Sequence, residues 1–459
     1  MLISKFPAKQ HFASALRLFP SYITEGVVFV AGNPNIIRPN SDNELDFYQN
    51  QDFLYLTGVN EPGFAVVYDI ASSKLALIAP RVSDDEAVWT GPGDTPDELR
   101  SKYEFDEVFY HDELVEVLSE LDPATVFMLN YQDPVKALPK QFVCRADTST
   151  LLLEAVQEAR VFKSPYEIEI IRQAHHISSL AHTALMKAVR PGINESDLEV
   201  IFKDVLNRQG AEKPAYHTIV GVGRHASILH YTKNNAPIDD ESDVVLVDGA
   251  AQYRGYAADI TRTFPVGKKF SEEARAIYEI VLDMQQSVLD EMKPGVPWEN
   301  MHRLAERRLL DGLYKLGIIR REVPVEAAIK LHVPAIFFPH GLGHFLGIDG
   351  HDVNGYPKGI HPIREPGISA LRMRRNLAPG MVLTVEPGCY FPGCYFVEPL
   401  LKRAFADPSV ARVFDTSVLE CYYKVGGVRI EDCVAVTETG IDNLTTAPKS
   451  IEDIEALRY

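Results

Sequence analysis

The chain has 459 residues, more than one ordinary domain accommodates, and its length points to two or three. An apolar content of 46% and a charged content of 24% suit a globular protein with ample core material. With 64 acidic and 46 basic residues, a net charge of −18, it would repel phosphate backbones, and no apolar run nears the ~20 residues that span a bilayer, so neither nucleic acid nor membrane is an expected partner.

In chain order, residues 1–24 carry Lys5, Lys9 and Arg17 and no acid. They read as an amphipathic helix opening the first domain, with a mitochondrial leader as the alternative. Residues 26–32, 63–70, 74–80 and 125–129 read as buried strands bounded by turn residues. Their alternation with helical stretches such as 112–121 predicts an α/β domain over residues 1–160. Ser164-Pro165-Tyr166-Glu167 then forms a capping box with proline at the first helical position, predicting a long helix and a second domain over 161–459. Further helices are expected near 196–209, 271–293 and 299–316, and strands near 244–265, 381–391 and 426–436, giving an α+β domain with hairpins. The five cysteines, Cys144, Cys389, Cys394, Cys421 and Cys433, are odd in number and lack a CxxC pair. They predict neither a disulfide framework nor a thiolate zinc site, and they fit a reducing compartment. Asn194-Glu195-Ser196 and Asn443-Leu444-Thr445 match the glycosylation sequon, a pattern that arises easily by chance.

The chemistry concentrates in the second domain. Residues 244–265 run from a buried strand into Asp248, through a glycine-bearing turn, to a second strand carrying Asp259. Antiparallel pairing can bring these carboxylates face to face. His340-Gly341-Leu342-Gly343-His344 places two histidines among glycines that disfavour a helix, and His351 follows closely. Period two aims Glu386 off one apolar strand and Arg429 with Glu431 off another. Taken singly, each residue reads more simply as a turn or solvent-facing side chain. Taken together, four carboxylates and a histidine suit hard or borderline divalent cations, because so many acids would otherwise repel. Two such cations could activate a water for amide hydrolysis.

The segments DGA…DITRTFP, PHGLGHFLGIDGHDV (339–353), TVEPG and GGVRIED resemble the pita-bread metallopeptidases, and within them the Xaa-Pro dipeptidase (prolidase) and Xaa-Pro aminopeptidase (aminopeptidase P) branch. Residues 50–62 and 160–171 are similar to that branch's N-terminal domain and linker. The resemblance implies an α/β N-terminal creatinase/prolidase-like domain plus an α+β pita-bread catalytic domain. It implies two divalent ions, usually Mn2+, with Co2+ or Zn2+ as alternatives. Asp248, Asp259, His344, Glu386 and Glu431 match the ligands, Asp259 and Glu431 bridging both ions. Glu386 also matches the general base, and His230 a catalytic histidine that contacts substrate near the scissile carbonyl. His340 and His351 match pocket histidines, and Tyr216 and Arg429 match positions that support the ligands or line the pocket. Arg372 aligns with an arginine that binds the dipeptide carboxylate, which favours prolidase over aminopeptidase P. A cytoplasmic homodimer acting on peptides with proline second is the further expectation. Gly350 departs from the aliphatic residue that usually precedes His351, and Cys389 and Cys394 lie close to the ligand segment; both read as loop variation. A binding protein on the same scaffold and a metal-free amidinohydrolase are the rivals, and the complete ligand set opposes both.

Overall fold

The computed structural model describes residues 5–391 and 405–458, so Cys394 lies outside the described residues. The chain divides into two compact units, Met1–Arg160 and Val161–Tyr459. The first is built on a six-stranded sheet ordered Glu107–Tyr110, Lys74–Ala79, Ala65–Asp69, Val27–Ala31, Val126–Phe127, Ala146–Asp147. The strands from Lys74 to Ala79, Ala65 to Asp69 and Val27 to Ala31 pair antiparallel, and the outer joins are parallel. Alternate residues on one face, Val27 and Phe29, Val67, and Ile78, cluster with Leu114 and Leu118 of the helix Leu114–Leu121. This is the period-two burial expected of a strand with one face on a helix. The N-terminal helix Ala8–Leu16 buries Ala8, His11, Phe12 and Ala15. Among the described residues no helix is long and apolar enough to cross a membrane.

The second unit opens with the helix Pro165–Ala188, whose capping box is complete. Ser164 Oγ accepts the Glu167 N–H at 3.3 Å, and Glu167 Oε2 accepts the Ser164 N–H at 2.7 Å. Helices Glu195–Arg208, Glu272–Glu291 and Trp298–Lys315 follow where apolar spacing placed them.

The strands differ instructively from expectation. Each long strand read from the sequence is broken where a carboxylate sits. Val382–Val385 pairs with Asp432–Val436, and Gly388–Tyr390 pairs with Gly427–Arg429 in the same antiparallel sense. The register runs through the break and sets Glu386 opposite Glu431. Pro387 has no N–H to give the ladder there, and the Glu386 and Glu431 N–H groups turn to the Leu342 and Thr261 carbonyls, at 2.8 and 3.0 Å. In the other hairpin Val244–Asp248 pairs with Thr261–Pro265, and pairing resumes as Ala251–Tyr253 with Tyr256–Ala257. Asp248 stands opposite Thr261, so Asp259 lies diagonal to it rather than face to face. The Asp259 N–H leaves the ladder and points at His175 Nε2, 3.3 Å away.

Candidate metal centre and substrate cavity

These breaks surround a cavity of about 560 Å³. Tyr216, His230, Asp248, Asp259, His340, His344, His351, Arg372, Glu386, Arg429 and Glu431 all line it, so every site residue read from the sequence reaches one space. Depth separates them. Asp259, His344, Arg429 and Glu431 are buried, whereas His230, His351 and Arg372 are exposed.

At the buried end, one ligand atom each from Asp259, His344 and Glu431 can lie within 4.8 Å of one another. The donor chemistry fits a cation. His344 Nδ1 donates to the Phe345 carbonyl at 2.9 Å, which leaves the Nε2 lone pair facing inward. That nitrogen sits 3.5 Å from Asp259 Oδ2 and 3.4 Å from Glu386 Oε1. Burial and the neighbouring His351 hold its pKa down to about 3, so no imidazolium proton separates these acceptors near neutrality. The Tyr216 hydroxyl lies 2.7 Å from Asp248 Oδ1 and 2.5 Å from Asp259 Oδ1, and its single proton serves only one of them. Burial first, then Asp248, pushes Asp259 well above the usual carboxylate range. Burial and Asp259 do the same to Glu431, and burial and Glu431 to Glu386. A crowd of acceptors with too few protons is what a divalent cation neutralises.

The surrounding polypeptide holds this crowd in place. Gly343 is needed because a Cβ there would stand 2.0 Å from the Thr384 carbonyl oxygen. That close approach lets the His344 N–H reach Thr384 Oγ1 at 3.1 Å and the Thr384 N–H reach the His344 carbonyl at 2.9 Å. Thr261 donates to Glu431 Oε2 at 2.7 Å and accepts from Arg429 Nε at 3.1 Å. Arg429 Nη2 binds Asp248 Oδ2 at 2.7 Å, and its Nη1 donates to the Tyr390 hydroxyl at 2.9 Å.

Residues 169–438 match metallopeptidase family M24, well over half of the chain, and residues 10–127 match the aminopeptidase P N-terminal domain. The chain belongs to metallopeptidase family M24. This M24 chain is 39% identical over 460 residues to a Botryotinia fuckeliana protein named "Probable Xaa-Pro aminopeptidase pepP", covering 100% of the chain and 98% of that protein. It is 39% identical over 462 residues to the Xaa-Pro dipeptidase of Homo sapiens, covering 98% and 92%. Its structure is similar to that of aminopeptidase P from E. coli with the inhibitor Pro-Leu, at TM-score 0.81 and 32% identity, over 99% of each chain. The α/β unit followed by a pita-bread α+β unit is thus the architecture of this peptidase family.

Several residues of the M24 site escaped the sequence reading. Tyr390 bonds His340 Nε2 at 2.9 Å as well as Arg429, and so ties a pocket histidine to Asp248. Thr261 and Thr384 share strand faces with Asp259 and Glu386, a period-two signal that was available. His175 and Lys163 gave none. Lys163 Nζ pairs with Asp352 Oδ2 at 2.8 Å, both side chains almost wholly buried, and so anchors the residue next to His351. The free thiol Cys389 is buried, and burial raises its pKa well above the ordinary range, so it carries no nucleophilic thiolate near neutrality.

Proposed function

We propose that this chain is a dinuclear metal-dependent exopeptidase that hydrolyses the bond preceding proline, with Xaa-Pro dipeptides as its principal substrates. The observation that carries this reading is the joining of a carboxylate–histidine cluster and an open arginine in one cavity. Relatives named for Xaa-Pro dipeptidase and Xaa-Pro aminopeptidase activity support the proline preference. Asp248, Asp259, His344, Glu386 and Glu431 would hold two divalent ions, Mn2+ first among them and Co2+ or Zn2+ as substitutes. When bound, such ions polarise a carbonyl and lower the pKa of a water.

The chain's own groups do the rest. Glu386 takes a proton from the attacking water and returns it to the proline nitrogen as the C–N bond breaks. His230 donates to the carbonyl oxygen before proline as charge develops there. Ile219 and Leu229 give the cavity apolar wall for a pyrrolidine ring. Arg372 forms no ion pair among the described residues, although its charge acts on Glu386, and it stands exposed at the cavity. Its planar fork matches the carboxylate that ends a dipeptide. The free thiols Cys144, Cys389, Cys421 and Cys433 fit the reducing cytoplasm, where we place the enzyme as a homodimer.

A second reading, aminopeptidase P acting on longer peptides, is favoured by the similarity to solved aminopeptidase P over 99% of the chain. Turnover of a Xaa-Pro dipeptide and a Xaa-Pro-Yaa tripeptide with the same first residue, both with Mn2+, separates the two. The dipeptide should be preferred, and Arg372→Ala should cut kcat/KM for the dipeptide by roughly 10- to 100-fold, a charged hydrogen bond's worth, while sparing the tripeptide. Preference for the tripeptide would overturn the dipeptidase assignment and leave the aminopeptidase reading.

A further inference from the structure

Helix Glu195–Arg208 begins with Asn194 as its cap, Asn194 Oδ1 accepting the Ser196 N–H at 3.1 Å. The next side chain, Glu195, turns inward and is wholly buried. A buried carboxylate is costly unless its oxygens are satisfied, and here they are filled from one stretch of chain. Oε1 accepts from the Val222 N–H at 2.9 Å and from His225 Nδ1 at 3.0 Å. Oε2 accepts from the Tyr231 hydroxyl and from the Ala236 N–H, each at 2.8 Å. The Glu195 N–H also donates to the Ala236 carbonyl at 2.9 Å. One residue therefore clamps both ends of the loop 222–236 and a tyrosine in its middle. The His225 and Tyr231 rings stack inside that loop, with centroids 4.4 Å apart. His230, the neighbour of Tyr231, lines the cavity, and no hydrogen bond among the described residues holds its imidazole.

We propose that Glu195 is a positioning residue: its carboxylate fixes the loop that presents His230 to the substrate carbonyl. This rests on the reading of His230 given above. The four bonds end on the loop and none ends on a proposed metal ligand, so Glu195 governs the placement of His230 and leaves metal binding alone.

A double-mutant cycle on the full-length, Mn2+-loaded chain tests this with a Xaa-Pro dipeptide. Glu195→Gln turns two accepting sites into a donor, and a catalytic group misplaced by about 1 Å costs on the order of 100-fold, so kcat should fall by about that factor with little change in KM or Mn2+ affinity. In the His230→Ala background Glu195→Gln should cost nothing further. Tyr231→Phe removes one bond of the four and should move kcat the same way by a smaller factor, again silent beside His230→Ala; it stands in if Glu195→Gln does not fold. Losses that multiply across the cycle would overturn the proposal and make Glu195 a stability residue. A His230→Ala enzyme with full activity would instead overturn the reading of His230, and this inference with it.

Discussion

Asp259→Ala should lose at least about a thousandfold in exopeptidase activity with Mn2+ present, the equivalent of about 4 kcal/mol of transition-state stabilisation, yet melt at a higher temperature than the parent when both are stripped of metal. The two effects have one cause. Asp259 is buried beside Asp248, with Glu431 and Glu386 raised by the same crowding. Without cations each ionised carboxylate opposes the next, so deleting one relieves the fold while removing one of the proposed metal ligands. The pH dependence follows. These carboxyls bind protons more tightly folded than unfolded, so their contribution to stability is complete below the ordinary carboxylate range near about 4 and is lost as pH rises through their raised values. Melting temperature of the metal-free parent should therefore fall from mildly acidic to neutral pH. Mn2+ should abolish that fall, and Asp259→Ala should flatten it. Thermal melts at pH 5 and 8, with and without chelator, measure this. A metal-free parent that gains stability with pH would refute the crowding account, and an active Asp259→Ala would refute the mechanism.

Arg262→Met should cost about 3–5 kcal/mol of stability, and Arg262→Lys should recover only part of it. Arg262 is wholly buried, and its guanidinium has five N–H groups. All five are used. Nε donates to the Pro448 carbonyl at 2.9 Å, and Nη1 to those of Thr261 and Glu431 at 3.0 and 2.6 Å. Nη2 donates to Asp432 Oδ1 and the Ala447 carbonyl at 2.7 and 2.9 Å. Lysine brings three donors on a flexible stem, so at least two buried acceptors go unmet. Methionine leaves Asp432 to Lys449 and Asn443 alone. Burial would raise the Asp432 carboxyl, but Arg262 and Lys449 more than offset it and hold it low. Its contribution is thus present above the ordinary carboxylate range and lost as pH falls, and the Arg262→Met protein should denature at a higher pH on acidification. Urea unfolding of the metal-loaded proteins reads the free energies. An Arg262→Lys protein as stable as the parent would mean that five donors are not required.

The sequence made the elements legible where pattern is local. The Ser164 capping box, the four long helices and the central strands of the first unit all follow from spacing a few residues long. Eight of the eleven site residues were legible because each sits in a short segment of distinctive chemistry, whereas Tyr216, His230 and Arg372 were legible only through the resemblance to the family. Strand ends were not legible, because they are set by distant partners: Pro387 and Glu431 break two strands in concert, and His175 draws the Asp259 N–H from a helix far earlier in the chain. The buried supports were hidden for the same reason. Glu195 looks like any acid in a first helical turn, and Lys163 and Arg262 look like surface charges, until the fold supplies their partners.

The interrupted register that sets Glu386 across from Glu431 has a kinetic side. Asp248 and Asp259 share one hairpin, His344 lies on a separate stretch, and Glu386 and Glu431 meet only when a second, much later hairpin closes. No early piece of the chain holds more than two of the five proposed donors, and the long loops between them must close before the rest converge. The cluster is therefore expected to assemble after the rate-limiting step of folding rather than before it, and an ion that binds only the finished arrangement would stabilise a product, not a path. Mn2+ in the refolding buffer should leave the refolding rate unchanged while it slows unfolding, making the ion a latch on the completed protein; faster refolding would mean that a partial site forms early.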